Sequence, residues 1–350
     1  VTIRITWGRA VAAFVTLALA GLLFAWSGIF NIAASSGHWP VTDWFLHWAM
    51  RNSVRTHAAF SVPKDAADPT GMVSAAGHFD ASCAICHGAP GRRPSPVMQA
   101  ATPPAPDLAV NAREWSDRQI FWILRHGVKY TGMPAWPALD RTDEIGRMTA
   151  FVRALPTMTQ ARYETLVGRA TMTAARADPI AACVGCHGAD GRGRGQRDIP
   201  VIAGQNAAYL HATLRAYATG RRASGVMAQA AAPLDDATMR RLADRFAAMP
   251  ASGPSRPATP DAAAVRIIAD GLPDRQLPAC ASCHAPGRSP LYPKLAGQRA
   301  GYIAARLRGW QAEEGTPDAR LPQDAMPAIA RRIPEDMIDP LARTLAAGMR

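Results

Sequence analysis

Six cysteines stand in this chain, and all six fall into three Cys-x-x-Cys pairs: Cys83/Cys86, Cys183/Cys186 and Cys280/Cys283. A histidine follows each pair at once: His87, His187 and His284. Two such pairs can close a four-thiolate zinc site, but three pairs about 100 residues apart do not group into fours. A thioredoxin-like dithiol sits beside a βαβ pattern, and none is visible. The order Cys-x-x-Cys-His suits covalent haem instead. Two thioether bonds fix the porphyrin edge, and the next residue swings its imidazole onto the iron. We therefore expect three covalently bound haem c groups, with the six cysteines as anchors and His87, His187 and His284 as axial ligands.

The motifs recur at spacings of 100 and 97 residues, which argues for three similar units of about 90 residues behind an N-terminal extra. A low-spin carrier takes Met or His as sixth ligand. The candidates are Met133 in "YTGMPAW", Met227 in "SGVMAQ" and Met326 in "DAMPAI", 46, 40 and 42 residues after their histidines. His126, 39 residues after His87, is the runner-up in the first unit. Each methionine is expected to precede a helix: "TDEIGRMTAFVRALP", "DATMRRLADRFAAMP" and "PEDMIDPLARTLAAG". Apolar residues recur there at helical spacing, as in Ile145, Met148, Phe151 and Leu155. Counted from the Gln, the loop before Met326 is longer by six residues than its counterpart before Met227.

Between histidine and methionine each unit carries a further helix. In the first, Ser116 and Gln119 form a capping box and Gly127 supplies a stop. The second and third units align at an offset of 93 residues, "AGQNAAYLHATLRAY" with "AGQRAGYIAARLRGW". Gly204 pairs with Gly297, Gln205 with Gln298 and Tyr209 with Tyr302, the mark of an internal duplication. Ahead of this helix stands a proline segment: Pro106-Asp107-Leu108, Pro200-Val201-Ile202 and Pro293-Lys294-Leu295. A carbonyl there is expected to accept the histidine Nδ1–H and so fix its tautomer.

Residues 10–34 carry no charge, long enough for a bilayer core of about 20 residues. Arg4 and Arg9 precede the run, so the positive-inside rule leaves the N-terminal end in the cytoplasm and the remainder outside. A cleaved signal ending near Ala33, Ala34 and Ser35 is the rival reading, although the run is long for a signal core. In a bacterium the haem units then lie in the periplasm, on a single-pass inner-membrane anchor. Behind the anchor, residues 38–55 place Val41, Trp44, Phe45 and Trp48 on one helical face, suited to the membrane interface or to packing on the first unit.

The formal charge is +12, and six haem propionates bring the loaded chain to about +6. That balance fits solubility, anionic lipid or an acidic redox partner. Nucleic acid is not expected, since no basic helix or aromatic-basic repeat appears.

These motifs resemble class I cytochromes c over roughly residues 70–350. The second and third units are similar to tandem dihaem cytochromes of the c4 type, through "CVGCHGADGRG" and "AGQNAAYL", then "PACASCH" and "LAGQRAGYI". The first is similar to a single-haem domain of membrane redox complexes, through "CAICHGAPG" and "HGVKYTGMPAW". The third departs from the family in "CHAPGRSP". The resemblance implies an all-α fold, His/Met iron and one-electron transfer. The expected order is an anchor at 1–35, an amphipathic segment at 36–65 and cytochrome c domains at 66–158, 159–252 and 263–350. A linker over 251–262 separates the last two.

The expected function is a membrane-tethered triple-haem electron carrier of a periplasmic respiratory chain, to or within a terminal oxidase complex. The alternative is a subunit accepting electrons from a periplasmic or membrane dehydrogenase. Rivals of other classes are a haem enzyme with an open iron in the third unit, and an assembly subunit.

Overall fold

The computed structural model describes residues 6–168, 179–251, 261–312 and 325–348. Among the described residues the regular structure is helical, joined by turns and two isolated β-bridges. Most of the expected linker 251–262 and the loop before Ala325 lie outside the described residues.

The helix Trp7–Trp26 has 20 residues, mean hydropathy of 1.9 and no buried residue. At 1.5 Å per residue it reaches about 30 Å, a bilayer core's thickness. It ends before the apolar run does, because Ser27 and Gly28, at φ 71°, turn the chain.

The next helix, Pro40–Ser61, starts with Pro at its first position, where a missing N–H costs nothing. Its two halves differ. The first half exposes Val41, Trp44, Phe45 and Trp48. The second buries Val54 and Ala58 and packs against the helix Asp117–His126. There His57 stacks on Trp122 at 5.6 Å, Arg118 Nε donates to the Val62 carbonyl at 2.7 Å, and Arg51 pairs with Glu114 at 2.6 Å. The exposed aromatic face and the packing face thus belong to successive stretches of one helix.

The first core gathers helices Met72–His78, Asp117–His126, Thr142–Ala154 and Gln160–Val167. Phe79, Phe151 and Tyr163 are fully buried, with Phe79 and Phe151 centroids 5.3 Å apart and Tyr163 edge-on to Phe79. The Tyr163 hydroxyl donates to Asp80 at 2.8 Å. Tyr163, Leu166 and Val167, beyond the expected boundary at 158/159, are buried in this core, as is Ile199 of the second unit.

In the second unit, Leu210, Leu242, Ala243 and Phe246 bring together helices Ala207–Ala218 and Asp236–Ala247. The third core joins Ala262–Asp270, Ala300–Ala312 and Ile338–Ala347 through Ile267, Ile303, Leu307, Ile338 and Leu341.

The second and third units meet across a local two-fold relation. Gln205 Nε2 donates to the Lys294 carbonyl at 3.0 Å while its Oε1 accepts from Lys294 N–H at 2.8 Å. Gln298 does the same to Val201, both bonds at 3.0 Å. The next residues continue the pattern: Asn206 donates to the Tyr292 carbonyl and Arg299 to that of Ile199, both at 2.8 Å. Each of these partners is related by the offset of 93 that the sequence shows.

Candidate haem-binding sites

The first histidine is delivered by a nearly continuous helix. Met72–His78 widens into a π-turn at Phe79–Cys83 and closes as Ala84–His87. Gly88, at φ 68°, ends it, and a Cβ there would meet Pro94 Cδ at 2.8 Å and the Arg92 carbonyl at 2.9 Å. His87 Nδ1 donates to the Pro106 carbonyl at 2.8 Å, which leaves Nε2 for a metal. In the third unit His284 Nδ1 donates to the Pro293 carbonyl at 3.0 Å. Both acceptors lie in the proline segments expected from the sequence.

The second histidine differs. His187 is buried, and its Nδ1 finds no hydrogen-bond partner. Burial lowers the His187 pKa to about 4, with Pro200 pulling the other way. Burial likewise lowers His87 and His284. All three imidazoles are therefore kept neutral, the form that binds iron.

None of the six cysteines is in a disulfide among the described residues, and all six are half-buried. Burial, with the neighbouring Cys86, pushes Cys83 up to about 12, and burial pushes Cys280 up to about 11. No group of three or more His, Cys, Asp or Glu side chains converges on a metal position among the described residues.

The residues also fit a group bearing carboxylates. Arg222 reaches Tyr209 Oη at 3.1 Å and Thr213 Oγ1 at 3.2 Å, with its guanidinium 4.9 Å from the Tyr217 ring. Arg306 lies 4.6 Å from the Trp310 ring, and its buried Nε has no partner. Among the described residues neither forms an ion pair with Asp or Glu. Two cations held among aromatic rings, with no carboxylate in bonding contact, suit haem propionates.

Of the expected sixth ligands, Met133 lies in a loop and packs against the same core as Cys83. Met326 and Cys280 share the third core in the same way. Met227 and Met326 precede the helices Asp236–Ala247 and Ile338–Ala347, as expected, and each also sits inside a further short helix, Gly225–Ala231 and Ala325–Ala330. Met227 is half-buried beside Val226, which packs against the first core, not the second. Cys186 joins it there, close enough that a Cβ on Gly77 would meet its Sγ at 2.8 Å. His126 is exposed at the end of its helix and faces Trp122 at 5.0 Å.

Three residues of this region carry no signal in the sequence motifs. Buried Glu144 binds across the seam between the first two units. His78 is buried against Trp136 with an unpartnered Nδ1, and burial lowers its pKa to about 4. Arg222 is the third. Beside Arg221 in a Gly-and-Ser-containing loop, it reads as an ordinary surface cation.

Residues 72–152 match the family described as cytochrome c oxidase, cbb3-type, subunit III, and residues 174–248 match the cytochrome c family. The chain is 33% identical over 186 residues to the thiosulfate dehydrogenase electron acceptor of Stutzerimonas stutzeri strain A1501, covering 51% of this chain and 85% of that protein. It is 34% identical over 180 residues to the protein of the same description from Thiomonas intermedia strain K12, covering 50% and 82%. Cytochrome c4 of Stutzerimonas stutzeri is 32% identical over 153 residues, covering 40% and 72%. With the three cysteine pairs, these matches give the chain three covalently bound haem c groups.

Proposed function

The chain belongs to the c-type cytochromes, and from that premise we propose that it accepts single electrons from a periplasmic or membrane dehydrogenase and passes them on. The observation that carries this reading is its likeness, across 85% of that protein's length, to a thiosulfate dehydrogenase electron acceptor. The comparisons favour the dehydrogenase alternative over the terminal-oxidase reading that the sequence put first. The oxidase-subunit family matches the first unit alone.

Bound haem supplies a reversible one-electron change at iron. The chain's own residues do the rest. Cys83 and Cys86, Cys183 and Cys186, and Cys280 and Cys283 anchor the three groups. His87 with Met133, His187 with Met227 and His284 with Met326 would hold the three irons. Iron held in this way would leave no room for substrate, which suits a carrier, and Met/His ligation would suit electrons leaving towards a higher potential. Met326 packed on the core of Cys280 speaks against the open third haem. The helix Trp7–Trp26 acts as a single-pass inner-membrane anchor, and Trp44, Phe45 and Trp48 rest at the outer interface, with the haem units in the periplasm.

Rapid mixing of the oxidised protein with a thiosulfate dehydrogenase and thiosulfate tests the reading. Haem reduction within the dehydrogenase's turnover time supports it. No reduction there, together with fast transfer between this protein and a haem–copper oxidase, restores the oxidase reading.

A further inference from the structure

The seam between the first two units converges on one buried carboxylate. Glu144 lies in the helix Thr142–Ala154 of the first unit and is 6% exposed. Its Oε1 accepts from the Ser224 hydroxyl at 2.6 Å, and its Oε2 accepts from Gly225 N–H at 2.7 Å. Both donors belong to the second unit, about 80 residues away in sequence. Arg141 pairs with Glu144 at 2.9 Å and donates to the Ala223 carbonyl, also at 2.9 Å. The first unit thus holds three consecutive residues of the second, by a carbonyl, a hydroxyl and an amide.

The grip is tight in space as well. Trp136 Nε1 donates to Glu144 at 3.3 Å. A Cβ built on Gly225 would lie 2.4 Å from that Trp136 nitrogen, so only glycine lets the indole approach this backbone so closely. Trp136 stands three residues after Met133, and Gly225 stands two before Met227. The two methionine segments therefore meet face to face.

The held segment leads directly to Met227. The Ser224 oxygen that donates to Glu144 also accepts the Met227 N–H, at 3.0 Å. One hydroxyl links the carboxylate of the first unit to the backbone of the second unit's candidate ligand. A buried charged acceptor with several donors makes strong, geometrically demanding bonds, and removing it strands every donor.

We propose that Glu144 is a positioning residue for the second haem: from the first unit it fixes the segment 223–226 and so sets Met227 on the iron of its neighbour. This rests on the reading that Met227 is that iron's sixth ligand. On it, the second haem is fully ligated only when the first unit is folded and docked.

The test uses the full-length haem-loaded protein and three variants: Met227→Leu, Glu144→Ala and Glu144→Gln. The readouts are the methionine–iron charge-transfer absorption of the oxidised protein and carbon monoxide binding by the reduced protein. Met227→Leu should remove one of three methionine–iron signals and open one haem per chain to carbon monoxide. Glu144→Ala should give the same loss in part or in full, with no further loss in the double variant. Glu144→Gln keeps one carbonyl acceptor of the same reach and should restore much of the signal. If Glu144→Ala gives no folded protein, Glu144→Gln alone decides, through weakening of that same single signal. Met227→Leu with all three signals intact overturns the ligand assignment and the proposal with it. Loss of one signal in Met227→Leu, but none in either Glu144 variant, overturns the positioning role while leaving the ligand in place.

Discussion

Gln205 and Gln298 each grip the backbone of the other's unit by the same two bonds: Gln205 on Lys294, and Gln298 on Val201. Lys294 directly follows Pro293, whose carbonyl holds His284, and Val201 directly follows Pro200, which faces His187. The clasp therefore ties each candidate haem histidine's supporting segment to the opposite unit.

Replacing Gln205 with Leu leaves the Lys294 N–H and carbonyl without partners in a closely packed seam. Two lost bonds of this kind cost about 2 kcal/mol. Denaturant unfolding of the loaded protein should show that loss, and redox titration should show a displaced third haem with the first unmoved. Unchanged stability, or an equal shift in all three haems, would speak against the clasp.

His78 gives the first unit an acid limit. Its folded pKa, near 4 by burial, lies below the ordinary value of 6.5, so the unfolded chain binds the extra proton first. The stability it supports is present above pH 6.5 and is lost as pH falls towards 4, by about 3 kcal/mol in full. His78→Phe should flatten this dependence between pH 6.5 and 4. An equally steep acid loss in the variant would remove His78 from the account.

Tyr163 packs in the first core, beyond the expected boundary at 158/159. Tyr163→Ala empties a site shared with Phe79 and Phe151 and should cost about 3 kcal/mol or more. The loss should appear in unfolding followed at the first haem. A loss seen only in the second unit would speak for the boundary at 158/159.

Docking to a redox partner should weaken as salt rises, because the chain is strongly basic even after six propionates are counted. Bimolecular reduction rates measured across a salt series check this. A flat series would assign docking to apolar contacts.

Much of the fold and of the haem sites is legible in the sequence, for reasons that differ by residue. Cys-x-x-Cys-His is legible because the covalent chemistry requires contiguous residues. The Pro106 and Pro293 carbonyls are legible because their segments follow the histidines in a repeated order. The capping box of Ser116 and Gln119 is local and is present. Contacts between units leave weaker traces. Glu144 reads as an ordinary first-turn acid, and its donors come from about 80 residues away. The repeat of Gln205 and Gln298 is visible in the sequence, but their mutual role depends on the two units facing each other. The sequence pattern places Met227 before the helix Asp236–Ala247, as found, but does not show the short helix around it that begins at Gly225, where Ser224 caps through the Met227 N–H.

The central claim is that three haems are joined as one relay, with the second unit held by Glu144 on one side and Gln205 and Gln298 on the other. Injecting one electron per chain into the oxidised protein by a light flash, then following its redistribution among the haems, tests this most directly. The account predicts a redistribution rate independent of protein concentration. A rate that rises in proportion to concentration would mean that electrons move between molecules, and would contradict it.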